Sequence, residues 1–131
     1  MSTQLRYGSE VTTSLEFAPA LERVRSALKS EGFGILCEID VAKTLKEKIG
    51  KDFRPYVILG TCNPEFAFRA LGAEPDLGLL LPCNVVVSQE PAGTKVAVID
   101  AKAMLSVVGN AALDPIAADV TARLERVLAA L

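Results

Sequence analysis

Pro82-Cys83-Asn84-Val85-Val86-Val87, followed by Pro91-Ala92-Gly93 and then by Lys95-Val96-Ala97-Val98-Ile99-Asp100, decides which folds this chain can adopt. Two runs rich in β-branched residues, separated by a turn built on proline and glycine, read as a hairpin. A hairpin brings antiparallel pairs into its sheet, which argues against a wholly parallel, doubly wound architecture.

Upstream, Phe53 to Thr61 predicts another strand. Its Tyr56-Val57-Ile58-Leu59 is apolar on both faces and therefore central in the sheet. Cys62-Asn63-Pro64-Glu65 then has the order of a helix start, with Asn63 as N-cap and proline in the first turn. Phe66, Ala67, Ala70 and Leu71 follow on one face, and Gly72 is the expected stop. Earlier, Phe33, Ile35, Cys37 and Ile39 alternate with Gly34, Leu36 and Glu38, which predicts a strand whose buried face includes Cys37. Asp40 is the expected N-cap of a short helix bearing Val41, Leu45 and Ile49, closed by Gly50. Phe17, Leu21, Val24 and Leu28 recur at helical spacing between Pro19 and Gly32, behind a first strand within Thr3 to Leu15. Downstream, Pro115 opens a last helix with Ile116, Val120, Leu124, Val127 and Leu131 in one stripe.

The order is strand, helix, strand, helix, strand, helix, hairpin, helix, with no linker and no second core. It predicts one domain over residues 1–131, an α+β two-layer sandwich. Its sheet is mixed but largely antiparallel, with about five strands and helices packed on it. The aliphatic stretches Leu77 to Leu81 and Ala101 to Leu113 would bury most easily in a homodimer.

Composition narrows the chemistry. The chain has 131 residues, half of them hydrophobic, and no histidine, so a histidine-activated nucleophile or a histidine metal site cannot be built within it. A net charge of −2 without single-sign blocks argues against gripping nucleic acid or an anionic membrane. No G-x-G-x-x-G or phosphate-binding P-loop occurs. The first residues lack the apolar run of a signal peptide, and nothing approaches a membrane span, so a cytoplasmic location is expected. There the three cysteines should be thiols or ligands, not a permanent bridge.

Cys-Asn occurs twice, at Cys62-Asn63 and Cys83-Asn84, each step beside a proline and each at a strand end. The positive end of a helix next to Cys62 would favour thiolate over thiol. If the strands bearing the two cysteines run antiparallel, both sulfurs fall at one edge of the sheet; a parallel crossover separates them. When they meet, Cys62, Asn63, Cys83 and Asn84 would line a pocket for a soft metal ion, with Cys62 and Cys83 as ligands, or for a sulfur-bearing or redox-active small molecule. No cofactor is required. A second reading is a thiol oxidoreductase or sulfur-transfer enzyme, in which Cys62 attacks and Cys83 resolves. A third is a dimeric interaction module without ligand, the cysteines serving only as small core hydrophobes.

Gly32-Phe33-Gly34-Ile35-Leu36-Cys37-Glu38-Ile39-Asp40, Phe53-Arg54-Pro55-Tyr56, Gly60-Thr61-Cys62-Asn63-Pro64 and Gly78-Leu79-Leu80-Leu81-Pro82-Cys83-Asn84-Val85-Val86-Val87 together resemble the Domain of Unknown Function 302 family of bacteria and archaea. The resemblance spans roughly Gly32 to Val87. It implies a small, dimeric α+β protein with no agreed activity, so no catalytic residue carries over. Cys62 and Cys83 fall on the family's two Cys-Asn steps. Thr61 replaces an expected smaller residue, typically alanine. Cys37 matches no family position, which points to a core role for it.

Overall fold

The computed structural model describes residues 2–131. Its strands are β1 (Thr3–Gln4), β2 (Gly8–Thr13), β3 (Gly34–Asp40), β4 (Tyr56–Cys62), β5 (Cys83–Glu90) and β6 (Gly93–Ile99). They form one sheet in the order β1-β2-β6-β5-β4-β3. Every neighbouring pair is antiparallel. Helices α1 (Phe17–Ser30), α2 (Val41–Ile49), α3 (Pro64–Ala73), α4 (Ala101–Ser106) and α5 (Asp114–Ala129) complete an α+β sandwich.

The hairpin of β5 and β6 forms as its sequence requires, with Glu90 opposite Gly93. Gly93 is needed there because a β-carbon would lie 2.4 Å from the Thr13 carbonyl oxygen of the crossing β2. On one face of the sheet, Val57, Leu59, Val85, Val87, Val96 and Val98 meet Val24 and Leu28 of α1 and Val120, Leu124 and Val127 of α5. The caps expected of Asp40 and Asn63 are present. The Lys43 N–H donates to Asp40 Oδ1 at 2.9 Å, and the Phe66 N–H to Asn63 Oδ1 at 3.4 Å. Gly32 and Gly50 take the left-handed conformation that ends α1 and α2.

Four differences from the sequence reading have local causes. The first strand is a hairpin of two, β1 and β2, so the sheet has six strands. Gly72 lies inside α3, and the helix stops two residues later because Glu74 precedes Pro75 and is held extended, at φ −145° and ψ 92°. The stretch after Pro75 is a 3-10 turn over Pro75–Leu79, and Ala101 to Leu113 contains α4, whose start is capped by Asp100 Oδ1 accepting from the Lys102 and Ala103 N–H groups. These two stretches bury Leu77, Ala101, Leu105 and Leu113 within the chain itself, while Leu79 and Val107 of the same stretches stay exposed.

The fourth difference is Cys37, which is exposed, not part of the core. Ile35 pairs with Thr61, but the next pairing is Cys37 with Gly60, so Leu36 is an extra residue in a β-bulge. One inserted residue reverses the alternation from that point on. Glu38 comes to the helix side, where its carboxylate meets Arg25 of α1 at 2.6 Å. Cys37 and Ile39 go to the opposite face, with Cys37 Sγ so close over Gly60 that a β-carbon there would lie 2.6 Å from it.

Candidate functional site

The antiparallel pairing of β4 and β5 sets Thr61 directly opposite Cys83. This places Cys62, the last residue of β4, next to the first residue of β5 at the same edge. The Thr61 hydroxyl donates to the Cys83 carbonyl oxygen at 2.8 Å and locks this corner. The Thr61 hydroxyl is therefore buried and satisfied.

Cys62 and Cys83 line one cavity of about 320 Å³ between the sheet and α3, α4 and α5. Thr61 and Asn63 share its wall, and Phe66, Leu105 and Val120 are among the apolar side chains that make up most of the rest. No charged residue lines it. Asn84 does not belong: it follows Cys83 in the strand, points to the opposite face by the two-residue period, and is exposed. Three of the four candidate residues are thus brought together and the fourth is turned away.

The electrostatics reverse the sequence expectation for the sulfurs. Burial pushes the Cys83 thiol up to about 11, with the neighbouring Cys62 adding a smaller push in the same direction. Cys62 is also raised, by burial alone. At the helix start beside Cys62, the Phe66 N–H donates to Asn63 Oδ1 and the Ala67 N–H to the Asn63 carbonyl oxygen. Both sulfurs are therefore neutral thiols at neutral pH. Among the described residues, no three His, Cys, Asp or Glu side chains stand together as a metal-binding group.

Sequence reasoning missed the cavity wall contributed by α4 and by the turn over Pro75–Leu79. The signal was available in Asp100, a capping residue directly before Ala101-Lys102-Ala103-Met104-Leu105.

The family model described as "Domain of unknown function DUF302" matches residues 9–131. The chain belongs to the DUF302 family. A solved DUF302 structure, an uncharacterized conserved protein from Bacillus stearothermophilus, is 37% identical to it, with a TM-score of 0.89 over 96% of this chain and 98% of that one. No curated protein matches the chain. The family thus identifies the fold of this DUF302 protein and assigns it no activity. No helix among the described residues is long and apolar enough to cross a membrane.

Proposed function

We propose that this DUF302 protein binds a small, uncharged, polarizable ligand, apolar or sulfur-bearing, in the cavity lined by Cys62, Asn63 and Cys83. The observation that carries the reading is a cavity that combines two neutral thiols with apolar walls and no charged side chain. A dry apolar cavity of about 150 Å³ is enough to hold benzene, so about twice that volume suits an aromatic molecule of two or three rings or a short chain. Sulfur contacts to an aromatic ring or a second sulfur add polarizable contact without requiring charge. A soft metal ion on Cys62 and Cys83 would need both thiols deprotonated and further ligands from outside this cluster. An attacking Cys62 thiolate would likewise have to overcome its raised pKa. Both of these readings are less well supported than the neutral ligand.

The test is titration with the uncharged fluorophore N-phenyl-1-naphthylamine. One molecule should bind per chain with enhanced emission, and an Ala70→Phe variant, which fills the cavity, should lose that binding. Absence of binding to the wild type refutes the reading. Native mass spectrometry of protein purified without chelator would show whether a natural ligand or metal is retained.

A second reading, pairing of two copies, is favoured by one observation. On the sheet face opposite α1 and α5, register aligns Ile39, Ile58, Val86 and Ala97 in a single apolar row across four strands. An Ile58→Lys substitution would abolish a dimer formed through this row.

A further inference from the structure

Of the residues lining the cavity, most are buried or half-buried, and three are exposed: Leu36, Leu71 and Gly78. Their positions mark the mouth. Leu71 comes from α3, Gly78 from the 3-10 turn, and Leu36 from the bulge in β3 on the sheet side. Leu36 is 67% exposed although it lines an apolar cavity. Phe68 and Leu79 are more open still, at 83% and 88%, but neither lines the cavity, whereas Leu36 does. In a regular strand, Leu36 would alternate with Ile35 and face away from the helices. The bulge is what aims it over the opening, a use of bulges that recurs beside functional sites.

We infer that Leu36 is the entrance residue of the cavity, a hydrophobic gate on the β3 bulge that sets the size of ligand admitted and its rate of passage. The inference rests on the reading of the cavity as a binding site. Gly78, which also lines the cavity at an exposed position, has no side chain, and nothing lies within 4 Å of a β-carbon built there. Leu36, the more exposed of the two leucines at the mouth, narrows the gap together with Leu71, and folding inward it would cover a bound ligand with its own apolar surface. It acts by steric control and bears no part in chemistry.

Two measurements on the full chain test this and separate it from the function it serves. The first needs no ligand: the rate at which methyl methanethiosulfonate, a small neutral reagent, modifies Cys83 at the cavity wall, with added glutathione as the reference thiol. Leu36→Ala should speed the Cys83 reaction about fivefold relative to glutathione, and Leu36→Trp should slow it by a similar factor. The second is stopped-flow association of N-phenyl-1-naphthylamine. Its on and off rates should both rise in Leu36→Ala and both fall in Leu36→Trp, with the equilibrium affinity moving less than either rate. Cys83 rates within twofold of wild type in both variants would overturn the gate. If the Cys83 rates respond as expected while the wild type binds no naphthylamine, the entrance stands and the apolar-ligand reading falls. Should Leu36→Trp fail to fold, Leu36→Ala alone decides, because truncating an exposed side chain leaves the core untouched.

Discussion

A thiol held as deeply as Cys83 keeps its proton well into alkaline solution, and this single property orders the reactivity of all three cysteines. With iodoacetamide at pH 8, exposed Cys37 should be labelled first, half-buried Cys62 next and Cys83 last. Peptide mapping against time should find Cys83 at least roughly a hundredfold behind an ordinary thiol, the factor its pKa alone imposes. Reasoning from the helix start beside Cys62 leads to the opposite order, Cys62 ahead of Cys37. The sequence showed which sulfurs could meet; it could not show that desolvation outweighs the pull of the helix end. Stability follows the same proton. The stabilising effect of the neutral thiol is complete below the unfolded pKa of about 8.5. Between that value and about 11 the unfolded chain has released the proton while the folded one keeps it, so stability falls as pH rises. The loss is about 3 kcal/mol in all. Urea unfolding from pH 8 to 11 should therefore be steeper in wild type than in Cys83→Ala.

At the scale of elements, the helices and the central hairpin were legible because their signals are local: caps at Asp40 and Asn63, stops at Gly32 and Gly50, and a two-residue turn. Edge strand β3 was legible as a strand and not as a surface. Its alternation is regular in sequence, and only the pairing with β4 reveals that Leu36 is supernumerary and that Cys37 and Ile39 change sides. Helix α4 is the converse case, a short element whose one strong signal, Asp100, is easily passed over. That cap accepts two N–H groups, so Asp100→Ala should lower unfolding free energy by about 1 kcal/mol in denaturant melts. Since α4 contributes Met104 and Leu105 to the cavity wall, the same variant should weaken naphthylamine binding.

For the molecule as a whole, the class and the layer arrangement follow from the alternation of elements, whereas a cavity does not. It is the space left between α3, α4, α5 and the sheet, and no residue encodes it singly. A ligand that fills it must stabilise the native state. At a hundred times its dissociation constant, the naphthylamine probe should add about 2.7 kcal/mol, visible as a higher thermal midpoint in wild type and absent in Ala70→Phe.

The strand order also bears on how the chain reaches this state. From β3 to β6 each strand pairs with its successor, a meander whose contacts are near in sequence; β2 alone must find a partner across more than eighty residues, zipping onto β6 with Val11 opposite Val96. Loop closure opposes that distant seam until the meander exists to receive it. The amino-terminal hairpin is therefore expected to dock last. In chevron kinetics, Val11→Ala should accelerate unfolding and leave the refolding limb nearly unmoved.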